Sequence, residues 1–161
     1  MQGPEPLSEA VPLLPCLSVL DVVDAHVLGD WAARLIGGRP QPPDLAALPS
    51  GIGAFELLPA WCDDWAVPER YRLRQQVLHA LEALSRQLVA LGRCAEAVEA
   101  AMVAVGTDPL RESAQRALIE SHLAEGNRIE AHRGAQAYRR LLLREVGAEP
   151  EDSLARLVVP S

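Results

Sequence analysis

An internal repeat of 34 residues constrains the fold of this chain more than any other feature of its sequence. Superposing residues 34 positions apart aligns identical residues, among them Leu84 with Leu118, Gly92 with Gly126, Glu96 with Glu130, Ala97 with Ala131 and Ala101 with Ala135. Alanines four residues apart lie on one face of a helix, where their small side chains let two helix backbones approach closely. A glycine permits the tight turn between such helices. The repeat therefore predicts stacked pairs of helices.

Thirty-four residues is the period of the tetratricopeptide repeat (TPR), whose unit is a helix, a turn and a second helix. The first copy has the small-residue pattern of that repeat at Leu84, Gly92, Ala97, Ala101, Ala104 and Pro109. The second copy matches the TPR pattern less well at three positions. Arg128 stands where an aromatic residue is usual, Tyr138 stands where a small residue is usual, and Leu143 stands where the proline is usual. The sequence predicts an all-α fold, a TPR-like helical repeat array that forms an α-α superhelix.

Apolar residues recur at helical spacing over most of the chain, and no segment alternates with a period of two long enough for a strand. The predicted helices run from Ser18 or Asp21 to Ile36, from Asp63 or Asp64 to Leu91, over 95–105, from Asp108 to about Glu125, and from after Gly126 to about Val146. Residues 39–54 are rich in proline and glycine, which indicates a loop with at most one helical turn at 44–48.

Proline distribution divides the chain, because nine of its 13 prolines fall within residues 1–60. Residues 1–17 lack helical periodicity and are expected to form a flexible tail or the remnant of a linker. Residues 18–158 are expected to form one domain, followed by a short tail at 159–161. A short repeat array leaves exposed ends that need capping. The helix around Trp31 and the segment 150–159 are the candidate caps.

Charge and cysteine usage exclude several classes of function. The chain has 15 basic and 22 acidic residues, a net charge of −7, which disfavours binding of nucleic acid by this chain alone. It lacks an apolar run long enough to cross a membrane. The cysteines, Cys16, Cys62 and Cys94, are three in number and widely spaced, so they indicate neither a disulfide framework nor a zinc site. A reducing cytoplasm is the expected location.

The sequence shows none of the motifs typical of enzymes. It lacks the glycine-rich loops that bind phosphates, the nucleophile motifs of hydrolases and the paired histidines of zinc proteases. The four histidines, at positions 26, 79, 122 and 132, do not have the spacing of metal ligands. We therefore expect no catalytic residues, no cofactor and no bound metal.

Two groups of residues are candidates for contact with a protein partner. In a TPR array the first helix of each repeat lines the concave face. That spacing places eight residues there, namely His79, Glu82, Arg86, Val89, Ser113, Arg116, Glu120 and Leu123. This mixed-charge groove suits a peptide or a neighbouring domain. The alternative is a solvated face on which the pairs Glu82–Arg86 and Arg116–Glu120 only support their own helices.

The second group combines aromatic and acidic residues at the start of the long helix. It consists of Trp61, Asp63, Asp64 and Trp65. One interpretation is a recognition surface. The other is a structural cluster, in which the tryptophans pack beneath the helix start while the aspartates cap it and interact favourably with its dipole.

Several separated motifs carry a resemblance to a known family. They are the stretches 57–65, 69–74, 108–112, 122–131 and 146–150, together with the first helix at 21–38. These motifs resemble the bacterial transcriptional activator domain, the TPR-like module of the antibiotic regulatory proteins of actinobacteria, the SARP family. The resemblance covers about residues 18–158. It implies a role in transcription control, in which the module supports dimerisation and activation.

The chain departs from the family pattern at its start. In members of the family a winged-helix DNA-binding domain precedes this module, whereas only about 17 residues precede it here. The expectation is either a stand-alone activator-domain protein or a shortened version of a longer regulator.

The function we predict is that of a transcription regulator module acting through protein contacts. Its expected partner is a winged-helix regulator, RNA polymerase or a second copy of the chain, which would form a homodimer. The alternative is a stand-alone TPR adaptor unrelated to transcription.

Overall fold

The computed structural model describes residues 19–49, 52 and 66–158. Six α-helices lie in this part of the chain, namely α1 (Val19–Ile36), α2 (Ala66–Ala90), α3 (Cys94–Thr107), α4 (Glu112–Ala124), α5 (Arg128–Glu145) and α6 (Asp152–Leu157). A 3-10 helix at Pro42–Leu45 follows α1. The described residues contain no strand. The prediction of an all-α, TPR-like array is confirmed.

The repeat glycines end the first helix of each pair with the same turn. Gly92 and Gly126 have φ angles of 74° and 85°, the left-handed region that glycine adopts without strain. After α2, the amide of Arg93 donates to the carbonyl of Leu88 at 2.9 Å. After α4, the amide of Asn127 donates to the carbonyl of His122 at 2.8 Å. His122 stands 34 positions after Leu88, so the two bonds are equivalent in the repeat. The sequence repeat therefore reproduces one backbone geometry.

The repeat alanines are buried where the helices pack. Ala97, Ala101 and Ala104 of α3 and Ala131 of α5 are fully buried, and Ala135 is nearly so. Leucines of α2, among them Leu78, Leu81 and Leu84, form the main core with α1, α3 and the start of α4. Small side chains on α3 opposite these leucines allow the close packing that the repeat pattern predicts.

Tyr138 occupies a position where a TPR has a small residue, and it is buried in a second core. This core also contains Ile119, Ala131 and Leu154. The Tyr138 hydroxyl donates to the carbonyl of Leu110 at 3.2 Å. Burial raises the pKa of Tyr138, and nearby carboxylates add to the effect. The weaker second repeat is thus completed by a large side chain with a satisfied polar end.

The helices pack in chain order, and alternate helices also touch. α1 packs on α2, and the neighbours from α2 to α5 pack on one another in turn. In addition α2 contacts α4, and α4 contacts α6. First helices of successive repeats therefore lie side by side. At the two ends, Trp31 of α1 and Leu154 of α6 are buried against the array, the arrangement expected of capping segments.

Two helix boundaries differ from the sequence prediction. α4 begins at Glu112, and the predicted start at Asp108 was wrong. Asp108 is extended, with φ −144° and ψ 88°, because a residue that precedes proline is displaced from the helical region. The short helical turn lies at Pro42–Leu45, two residues earlier than predicted, since proline is tolerated in the first turn of a helix. The predicted caps Asp63 and Asp64 and the predicted tails lie outside the described residues.

Candidate protein-interaction face

The eight predicted groove residues lie on two helices that run side by side. Their spacing along α2 and along α4 places each set of four on one side of its helix. The two helices are joined by a buried hydrogen bond of 2.8 Å between the hydroxyls of Ser85 and Ser121. Ser121 donates to the carbonyl of Ala117, so the Ser85 hydroxyl is the donor of this bond. We call the surface formed by the eight residues the α2–α4 face.

Glu82 lies beneath the α2–α4 face, in an interhelical network. Its carboxylate is 4% exposed. Arg111 Nε donates to Glu82 Oε1 at 2.6 Å, and the Ser113 hydroxyl donates to the same oxygen at 2.7 Å. Arg111 also donates to Gln75 Oε1 at 2.6 Å. The Glu82–Arg86 pair of the alternative interpretation does not form, because the buried Glu82 carboxylate pairs with Arg111, which enters from the turn before α4.

Arg116 connects the α2–α4 face to the last helix. Its Nη2 donates to the hydroxyl of Ser153 at 2.6 Å and to Glu151 Oε2 at 3.1 Å. The same nitrogen lies 3.6 Å from Glu112 Oε1. The Arg116–Glu120 pair of the alternative interpretation therefore does not form either. These contacts of Arg116 hold the segment around α6 against α4.

The remaining side chains of the α2–α4 face differ in exposure, and Glu120 among them is half-buried. Arg86 is exposed and has no ion-pair partner among the described residues. The His79 side chain is 57% exposed, although its ring lies beside Arg111 and Glu82. Val89 and Leu123 are partly buried, each packed on one of the two cores. The face thus offers a free cation and a histidine beside apolar surface.

The structure also shows polar contacts that sequence reasoning missed. Arg111, the centre of the Glu82 network, appeared in the sequence only as part of the stretch 108–112 that carries the family resemblance. The Ser85–Ser121 bond could not be predicted from the sequence repeat, because the two residues stand 36 positions apart and not 34. The cluster of Trp61, Asp63, Asp64 and Trp65 lies outside the described residues.

A half-buried ion pair fixes the loop after α1. Arg34 Nε and Nη2 donate to the two carboxylate oxygens of Asp44 at 2.8 and 2.7 Å. The amide of Gln41 donates to Asp44 as well, at 2.8 Å. The Arg34 hydrogen bonds hold the pKa of Asp44 below its ordinary value, against the opposing effect of burial. Backbone and side chain thus act together to anchor the proline-rich segment on α1.

Asp44→Asn is expected to lower the free energy of unfolding at pH 7 by about 1 kcal/mol, because the ion pair and part of its hydrogen bonding are lost. A carboxyl whose pKa is lowered on folding stabilises the protein above its ordinary pKa, and this contribution is lost as the pH falls below about 4. The difference between wild type and variant is therefore expected to shrink between pH 5 and pH 3. Urea denaturation followed by circular dichroism at several pH values measures it. Asp152→Asn, at an exposed position, is the control, and a difference that stays constant with pH would contradict the expectation.

Two further classes of site are absent from the part of the chain that the structure describes. No group of three or more histidine, cysteine or carboxylate residues there is placed to hold a metal ion. No helix there is long and apolar enough to cross a membrane.

Comparison with protein families gives one match, which covers most of the helical array. The model of the bacterial transcriptional activator domain matches residues 51–158, the segment that contains both repeats and α6. No curated protein and no solved structure matches the chain. The match supports a general role in transcriptional activation and agrees with the motifs that carry the SARP resemblance. The repeat, the all-helical array and this match lead to one conclusion, that the chain belongs to the bacterial transcriptional activator domain family.

Proposed function

We propose that this chain regulates transcription through protein contacts made by the α2–α4 face, without a catalytic step. The observation that carries the proposal is that this face lies wholly within the family-matched residues and keeps Arg86 and His79 exposed. Two of its other charged groups, Glu82 and Arg116, take part in internal contacts, and the third, Glu120, is half-buried. Binding of a partner would therefore use exposed groups and leave the interhelical network intact.

The proposed partner is a component of the transcription machinery. RNA polymerase or a winged-helix regulator is the first choice, and a second copy of the chain is the other. We also propose that residues 18–158 act as one unit. The side chains of Trp31 and Leu35 in α1 support this extent, since they share the main core with Leu81 of α2. Such a role places the chain in the cytoplasm.

A pull-down with charge-reversal variants tests this proposal. The tagged chain is incubated with an actinobacterial lysate, and the bound proteins are identified by mass spectrometry. We expect wild type to enrich RNA polymerase subunits or a winged-helix regulator, and Arg86→Glu to lose at least most of that enrichment. Arg140→Glu is the matched control, because Arg140 of α5 is also exposed, has no partner among the described residues and lies outside the face.

Two results would contradict the proposal. One is enrichment of neither class of protein by wild type, with an unrelated protein captured instead, which would favour an adaptor role. The other is equal capture by wild type and Arg86→Glu.

Direct DNA binding is tested separately by titrating duplex DNA at about 50 mM salt, where phosphate-driven binding is strong. We expect no binding there, because the chain carries a net charge of −7.

A further inference from the structure

A cleft of about 300 Å³ lies between α5 and the segment around α6, away from the α2–α4 face. α6 has six residues and α5 has 18, so the short helix covers only part of its neighbour. The walls of the cleft are mostly apolar, with Ala135 from α5 and Leu154, Ala155 and Val158 from the other side. This volume is at the lower end of the range for small-molecule sites, which combine apolar walls with a few polar groups.

The polar groups around the cleft leave one negative charge unpaired. Arg139 and Glu149 form a two-point ion pair, with nitrogen–oxygen distances of 2.6 and 2.8 Å. Their hydrogen bonds lower the pKa of Glu149 and raise that of Arg139, so both stay ionised and neutralise each other. Gln136 is bonded to the ring of a histidine outside the cleft. The carboxylate of Asp152 has no partner among the described residues.

We propose that this cleft binds a small organic cation, a primary amine that carries an apolar ring or a short alkyl chain. The ammonium group lies beside Asp152, and the apolar part fills the space between Ala135 and Val158. An anion of the same shape is disfavoured, because Asp152 repels it and the Arg139 guanidinium is already paired. This inference goes beyond the proposed partner binding, since it concerns a different surface and a different class of ligand.

Binding in this cleft has a structural consequence. The ligand contacts α5 on one side and the α6 segment on the other, so it stabilises the docked position of α6 by mass action. The same segment supplies Glu151 and Ser153, which hold Arg116 of the α2–α4 face. Occupancy of the cleft therefore strengthens the contacts that position Arg116.

Two probes of nearly equal shape and opposite charge test the proposal, 2-phenylethylamine and 3-phenylpropionate. Each is titrated into the full ¹⁵N-labelled chain at pH 7, and amide chemical shifts are followed by NMR. We expect the amine to cause saturable shifts in residues 135–139 and 149–158. We expect the carboxylate to cause none there.

Three variants test where the amine binds and distinguish the charged part of the site, at Asp152, from its apolar part. Asp152→Asn is expected to weaken binding of 2-phenylethylamine by about fivefold, the effect of one exposed ion pair. Ala155→Leu is expected to abolish binding by filling the cleft, and its exposed position leaves the fold unaffected. Ala137→Leu, exposed on α5 outside the cleft, is the control and is expected to bind as wild type does.

Three outcomes would overturn the proposal. The first is the absence of saturable shifts with the amine. The second is equal binding of the amine and the carboxylate, which would show that the charge of Asp152 does not select the ligand. The third is unchanged amine binding by Ala155→Leu, which would place the ligand elsewhere on the chain.

Discussion

Glu82→Ala is expected to lower the free energy of unfolding by about 3–5 kcal/mol, because it removes one partner of a buried ion pair and leaves the other charge uncompensated. Arg111, whose side chain is only 14% exposed, loses the carboxylate that it contacts at 2.6 Å. Ser113 loses its acceptor as well. Urea denaturation followed by circular dichroism at pH 7 measures the change.

Two further variants separate the network from a general effect of charge removal. Glu99→Ala removes an exposed carboxylate of α3 and is expected to change stability by no more than about 0.5 kcal/mol. The double variant Glu82→Leu with Arg111→Met is expected to recover most of the loss, since apolar residues of similar volume replace buried ion pairs at little cost. A Glu82→Ala protein within about 1 kcal/mol of wild type would show that water reaches Arg111 and that the network contributes little.

Ala97→Leu is expected to destabilise the fold by about 1–3 kcal/mol through overpacking. Ala97 is fully buried in the main core, where α3 packs against the leucines of α2. Three added carbon atoms have no space there unless the helices move apart. The same denaturation experiment measures the loss.

Ala95→Leu is the matched control for this substitution. Ala95 lies two residues away in the same helix and is exposed, so the identical change is expected to alter stability by less than about 0.5 kcal/mol. Equal stabilities of the two variants would contradict the close helix packing that the small residues of the repeat predict.

Local sequence signals predicted the helices and their stacking. Gly92 and Gly126 mark the two turns, and the buried alanines mark the close helix contacts. Both signals follow from backbone geometry and side-chain size, which are properties of single positions and of fixed spacings. The start of α4 was misplaced because Asp108 and Pro109 also suit a turn, and only the structure distinguishes the two uses.

Polar contacts between distant residues were not predictable in the same way. Glu82 has a basic residue four positions later, which suggested a pair within the helix, yet its partner stands 29 positions away. The Arg34–Asp44 pair depends on the path of a proline-rich loop, for which periodicity gives no information. Charged side chains are long, so which of several neighbours they meet is decided by tertiary packing.

The contact of the capping helix α6 with α4 continues the row of first helices by one short element. α6 contacts α4 on a smaller scale than α4 contacts α2. Pro150 precedes α6 by two residues, much as Pro109 precedes α4 by three. The same turn and the same helix pairing recur in the two repeats. Lengthening α6 and adding a helix after it would enlarge the protein by a whole unit without redesign of the units already present, which is how such modules can grow by duplication.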